Sequence, residues 1–174
     1  GLDISRGLIK QAKQRGYENV SLKQADLTKE KLILSKVDFA FCCNVIMFPD
    51  LDKNYTMLAN INRALHPGGT ALIVLPSLDS TLFSSWRLID LYRKEGVKVS
   101  DIPAHEFHYF KGNKRDLIQG IVHIDGVPTK HYSQTELQVI FKEAGFKITA
   151  IERLEYDWNT EFASVPDWLT DHYP

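Results

Sequence analysis

Cysteine is scarce in this sequence. Cys42 and Cys43 are the two present in 174 residues, and on a strand adjacent side chains point to opposite faces, so they do not pair with each other. Both read as core residues, because free cysteine is among the most buried residue types. No Cys-x-x-Cys, zinc-type Cys/His spacing or disulfide framework is present, which excludes a disulfide-stapled scaffold and fits a reducing compartment, read here as the cytoplasm. An excess of charge is missing too. The formal net charge is -1, from 21 Lys and Arg against 22 Asp and Glu, which gives no broad pull toward nucleic acid or an anionic membrane. The short run Lys111, Lys114, Arg115 reads as a solvated loop. Long apolar runs are also absent: "VDFAFCCNVIMF" is broken by Asp38 and Asn44 and is too short to span a bilayer, so no membrane partner is expected. "HEFH" over 105–108 lacks the four-residue histidine spacing of a zinc helix, and His123 and His131 flank a turn without a further ligand. No metal site is expected.

What is present is an alternation of helix and strand signals. Ser5 caps a helix over 5–16 whose stripe is Leu8, Ile9 and Ala12 and whose stop is Gly16. "NVSLKQAD" reads as a half-buried strand, and "KVDFAFCCN" as a central strand with both faces covered. A helix with Leu58, Ile61 and Leu65 on one face follows, ended by Pro67, Gly68 and Gly69, and "TALIVL" is another buried strand. This order predicts an α/β domain with a largely parallel sheet and right-handed crossovers. Beyond Pro76, a helix over about 79–94 leads into irregular chain, and "LIQGIVHIDGVPTKHYS" reads as a hairpin turning at Asp125-Gly126. Ser133 and Glu136 form a capping box for a helix with Leu137, Ile140, Phe141 and Ala144 inward, closed by Gly145. "FKITAIERLEY" is expected to be the final strand, with a short helix or ordered loop over 163–171.

Asp3, Asp26 and Asn44 fall at the carboxyl ends of three of these strands, the edge where open α/β sheets bind ligands. A carboxylate after the second strand suits a ribose, since it can accept hydrogen bonds from both vicinal hydroxyls. Each residue has a bland reading as well. Asp3 can cap the helix after Ser5, Asp26 can start a turn, and Asn44 can satisfy backbone groups at a strand end.

"GLDIS", "QADL", "VDFAFCCNVIMF" and "INRALHPGGTALIVLPS", in this order and spacing, resemble the class I S-adenosylmethionine-dependent methyltransferases. The resemblance covers residues 1 to about 77, and more loosely 133–155. It implies a Rossmann-like sheet with flanking helices and S-adenosylmethionine as methyl donor, leaving S-adenosylhomocysteine. It also implies that Asp3 holds the ribose diol, Ile4 packs on the adenine, Asp26 accepts from the adenine amino group, the Leu27 N–H meets a ring nitrogen, and Asn44 lies beside the methionine part. The family's glycine-rich loop has no counterpart here, because "HPGG" precedes a strand. The expectation is therefore a fragment without the first strand and that loop, leaving a gap in the sheet between the strands ending at Asp3 and Asn44.

The chain reads as one methyltransferase-like domain: a cofactor-binding part over 1–77, a lid or acceptor-binding insertion over 78–132, a helix-strand unit over 133–155 and a tail over 156–174. The expected activity is methyl transfer to a small-molecule acceptor, with nucleic acid disfavoured by the neutral charge. No sequence signal selects a catalytic base, and the oligomeric state is open. The rival readings are an NAD(P)-dependent oxidoreductase, against which stands the lack of a Tyr-x-x-x-Lys pair, and a non-catalytic binding module retaining the fold.

Overall fold

The computed structural model describes residues 1–30 and 32–154. Strand β1 (Leu2–Asp3) pairs in parallel with β2 (Lys23–Gln24), and helix α1 (Arg6–Gln14) connects them. Ser5 caps α1 by accepting the Leu8 N–H at 3.2 Å, and Gly16, at φ 68°, lets the chain turn away. The strand expected over "NVSLKQAD" contracts to its middle, since β1 offers it only Leu2 and Asp3 as partners.

A second parallel pair is formed by β3 (Val37–Cys43) and β4 (Leu65–Val74), joined by α2 (Leu51–Ala64). The Asp50 carboxylate caps α2 by accepting the Asp52 N–H at 3.1 Å. The helix stops at Ala64, before Pro67, and the "HPGG" run is drawn into β4. Val37 stands opposite Leu65 but Phe39 opposite Thr70, so the run is accommodated as a bulge. Gly69 is needed there: a Cβ would lie 3.0 Å from the His66 carbonyl oxygen and 3.1 Å from that of Asp38.

The core lies on one face of this pair. Cys42 meets Met57, Leu58 and Ile61 of α2, together with Ile46, Tyr132 and Ile140. The opposite face is bare among the described residues: Phe39 is 56% exposed, Phe41 63% and Leu72 54%. The expectation that β3 has both faces covered is thereby corrected. A parallel strand is buried on both sides only when helices flank both, and the helices packed here share one side. The same geometry separates the cysteines, Cys42 buried and Cys43 exposed, so Cys43 is not the core residue expected.

Beyond β4 the chain forms α3 (Leu78–Lys94), two short 3-10 stretches (Val99–Asp101 and Ala104–Phe110) and α4 (Lys114–Ile118). Helix α4 was not expected; a reciprocal capping box between Asn113 and Asp116 stabilises its first turn. Strands β5 (Ile121–Ile124) and β6 (Val127–Lys130) form the expected antiparallel hairpin, with Asp125 at φ 50° and Gly126 at φ 80° as its turn requires. Helix α5 (Gln134–Glu143) is capped by Ser133, which accepts the Glu136 N–H at 3.2 Å. The return half of the expected capping box does not form, because the Glu136 carboxylate turns to Lys130 Nζ at 2.7 Å.

The final strand is the other correction. Residues 146–154 run without a ladder partner among the described residues, Phe146 packing edge-on against Phe141 at 5.6 Å between ring centroids. The end of that segment and the expected helix or loop over 163–171 lie outside the described residues. No helix among the described residues is long and apolar enough to cross a membrane.

Candidate functional site

Because β1 and β2 run in parallel, Asp3 and the residues after Gln24 emerge at the same end of neighbouring strands. The Ala25 N–H donates to the Asp3 carbonyl at 2.9 Å, tying the two tips together. Asp3 Oδ1 accepts the Ser5 N–H at 2.6 Å, so the bland capping role holds for one oxygen. Its other oxygen has no partner among the described residues. Asp26 repeats this arrangement: its Oδ1 accepts the Thr28 N–H at 2.9 Å and the Thr28 hydroxyl at 2.6 Å, and among the described residues its Oδ2 has only the Lys29 ammonium at 3.9 Å. The Thr28 hydroxyl and then its N–H, with Lys29 and Lys53 adding positive charge, hold the Asp26 carboxyl below the usual carboxylate range. Two carboxylates at adjoining tips, each with one oxygen that accepts no hydrogen bond among the described residues, suit a ligand rich in hydroxyl and N–H donors.

Ile4 follows β1 and is 58% exposed, an apolar surface beside these acids. Leu27 is half-buried against the core cluster, and among the described residues no acceptor meets its N–H. The turn bearing Asp26 and Leu27 is gripped from behind. Asn60 of α2, 1% exposed, donates to the Leu27 carbonyl at 2.8 Å and the Lys29 carbonyl at 2.9 Å.

Asn44 stands apart from the acids, on the other parallel pair; no ladder hydrogen bonds join β1 to β3 among the described residues. It takes the left-handed φ of 51°, which asparagine tolerates better than most residues, and its N–H donates to the Val74 carbonyl at 3.0 Å. The loop after it is clasped twice. Asn54 Oδ1 accepts the Phe48 N–H at 3.0 Å while its Nδ2 donates to the Phe48 carbonyl at 2.7 Å. From the hairpin side, the Lys130 N–H donates to the Met47 carbonyl at 2.9 Å and the Tyr132 hydroxyl to the Ile46 carbonyl at 3.0 Å. Residues 130–132 thus wedge against the end of β3, and also of β4, where the Tyr132 N–H donates to the Pro76 carbonyl at 2.9 Å. Reading the sequence passed over Asn54, Asn60 and Lys130. The signal available was a carboxamide at two positions of a helix whose other inward residues are apolar.

The hairpin base holds a buried polar group. Lys130, 2% exposed, pairs with Glu136 and donates to the His131 carbonyl at 2.9 Å. Burial pulls the Lys130 ammonium below its ordinary value, opposed by Glu136. Burial also holds His131 below the ordinary imidazole value, and the Lys130 charge acts the same way, against the Thr129 carbonyl at 3.2 Å from Nδ1. His123 Nδ1 is buried without a hydrogen-bond partner among the described residues. Among the described residues no group of three or more His, Cys, Asp or Glu could hold a metal ion. Two surface concavities, about 460 Å³ on the flank of α1 and about 110 Å³ between Phe110 and Ile121, include none of Asp3, Asp26 and Asn44. The carboxylate tips form an open edge.

The family model of a methyltransferase domain matches residues 1–69. No curated protein matches the sequence. Among solved structures, an S-adenosylmethionine-dependent methyltransferase from Methanosarcina mazei is 19% identical with a TM-score of 0.64, over 92% of this chain and 74% of that one. One from Mesorhizobium loti is 18% identical with a TM-score of 0.54, over 99% of this chain and 70% of that one. At such identities the likeness is one of fold. Residues 1–69 thus match the methyltransferase-domain family, and the chain has an α/β fold shared with S-adenosylmethionine-dependent methyltransferases.

Proposed function

We propose that the protein binds S-adenosylmethionine and transfers its methyl group to a small-molecule acceptor. The observation that carries this reading is the pair Asp3 and Asp26, on adjoining parallel tips, each with one carboxylate oxygen engaged by backbone and one that accepts no hydrogen bond among the described residues. Asp3 is assigned the ribose diol, Asp26 the adenine amino group, the Leu27 N–H a ring nitrogen, and Ile4 one face of the base. Asn44 is assigned to the methionine part. The residues fit the group, since a nucleoside offers donors to both acids and an acceptor to the Leu27 N–H, which meets no acceptor among the described residues.

When bound, the cofactor supplies an activated methyl on a cationic sulfur. The chain's own residues then have to bind, orient and exclude water, which is why no triad is needed; holding two reactants aligned can contribute about 7–11 kcal/mol. Residues 78–132 are proposed as the wall that receives the acceptor, because their hairpin is fastened to the ends of β3 and β4. The neutral charge favours a small acceptor over nucleic acid.

Calorimetric titration of the full chain with S-adenosylhomocysteine and, separately, NADH tests the reading. Saturable binding of the first with none of the second supports it, and the reverse transfers the site to a nicotinamide cofactor. Binding of S-adenosylhomocysteine with no methyl transfer from labelled donor to any of a panel of small acceptors assigns the chain to a non-catalytic module.

A further inference from the structure

An asparagine inside a helix is a poor choice for the helix itself, because its side chain competes for backbone groups. Asn60 is aimed off α2 altogether. Both its amide hydrogens reach carbonyls more than thirty residues earlier in the chain, Leu27 and Lys29, and its Oδ1 accepts from the Arg63 guanidinium. Since guanidinium nitrogens only donate, Arg63 fixes which end of the carboxamide faces the turn. The two carbonyls held by Asn60 flank Thr28, whose N–H and hydroxyl orient the Asp26 carboxylate. One buried side chain therefore fixes, from the protein side, the short segment whose outer side carries the Asp26 carboxylate and the Leu27 N–H.

We propose that Asn60 is a positioning residue for recognition of the purine base. It touches no ligand; it holds the 26–29 turn in the single orientation that aims Asp26 Oδ2, which has the Lys29 ammonium at 3.9 Å and accepts no hydrogen bond among the described residues, at an exocyclic amino group. The inference rests on the assignment of Asp26 and Leu27 to the base. Its consequence is selective. Adenine presents an amino donor to that oxygen, whereas hypoxanthine presents a carbonyl oxygen that a carboxylate repels. The sugar is assigned to Asp3 on β1, with which Asn60 shares no hydrogen bond among the described residues. Loss of Asn60 should therefore erode the choice between the two bases more than the grip on the rest of the molecule.

The test is calorimetry on the full chain with S-adenosylhomocysteine and S-inosylhomocysteine, for the wild type, Asn60→Asp, Asn60→Ala and Asp26→Asn. Asn60→Asp keeps the shape but sets an acceptor against two carbonyls. The wild type should prefer the adenine ligand by about tenfold or more, the worth of a charge-assisted hydrogen bond. Both Asn60 variants should lose most of that preference, as should Asp26→Asn. Partial unfolding weakens both ligands by the same factor, so the ratio reports orientation and not stability. If Asp26→Asn keeps the full preference, the assignment of the base to Asp26 fails. If Asp26→Asn abolishes the preference while both Asn60 variants retain it, the positioning role is overturned and the site assignment stands.

Discussion

The Tyr132 hydroxyl donates to the Ile46 carbonyl at 3.0 Å, with Tyr132 2% and Ile46 0% exposed. The bond fastens the end of the β5–β6 hairpin beneath the loop that begins at Asn44, so a segment late in the sequence determines the setting of a strand tip near its start. Tyr132→Phe removes the donor and leaves a buried carbonyl without a partner, at a cost of about 1–3 kcal/mol. Urea unfolding should show a lower midpoint with an unchanged slope, since the surface exposed on unfolding stays the same. An unchanged midpoint would show that the carbonyl finds another partner.

The carboxylates at the neighbouring tips make separate demands. Asp3→Ala should weaken S-adenosylhomocysteine binding by about tenfold or more, in keeping with loss of charge-assisted bonds to a diol. It also removes the oxygen that accepts the Ser5 N–H. Asp3→Asn, which keeps an acceptor for that N–H, separates the two effects: weakened binding with a near-normal melting temperature assigns Asp3 to the ligand. Unchanged affinity in both variants removes it from the site.

Gly120 tolerates no side chain. Its φ is 70°, its carbonyl accepts the His131 N–H at 2.8 Å, and a Cβ would collide with the His131 carbonyl oxygen. Gly120→Ala should destabilise by at least the strain of a left-handed non-glycine residue, about 1–3 kcal/mol, read as a lower thermal midpoint. Gly126→Ala provides the comparison: its φ is 80° but the space around it is open, so its cost should be the smaller of the two.

The cysteines test which face of β3 is bare. Cys43 is exposed, whereas burial pushes the Cys42 thiol up to about 11. The thiolate is the reacting form, so a native-state titration with a disulfide reagent at mildly alkaline pH should modify Cys43 promptly and Cys42 only on unfolding. Protection of both would mean that something covers the Phe39–Phe41 face in solution.

Much of this architecture was legible in the sequence because it is locally encoded. Ser5, Ser133 and Asp125-Gly126 act through neighbours a few residues away, and the helices and hairpin they define are in place. The placement of Asp3 and Asp26 at strand ends was legible for the same reason. What could not be read depends on partners. "FKITAIERLEY" has the composition of a strand, but a strand exists only where another backbone completes its ladder, and residues 146–154 have none among the described residues. The apolar character of β3 signals capacity for burial on both faces, not the presence of a helix on each. Asn60 was invisible because its role is set by hydrogen bonds to residues 27 and 29, and helical periodicity reports only which face turns inward.

His131 gives the protein a sensitivity to mild acid. It is 6% exposed, and burial together with the Lys130 charge holds its pKa below the ordinary imidazole value. In the unfolded chain the imidazole takes up a proton as pH falls through about 6.5, while in the folded chain it stays neutral to lower pH. The unfolded state then binds more protons, so stability must fall as pH drops from about 6.5 toward the folded-state value, and must level off above that window. The Asp26 and Asp90 carboxyls are also held below their ordinary value, but that range is already acidic, so their contributions are lost at more acidic pH. His131→Gln keeps a polar side chain that does not titrate. It should flatten the dependence of the unfolding free energy on pH between about 5 and 7 while leaving the slope below about pH 4 in place. Chemical denaturation at half-unit steps checks this; an identical slope in wild type and variant would assign the mild-acid sensitivity to another group.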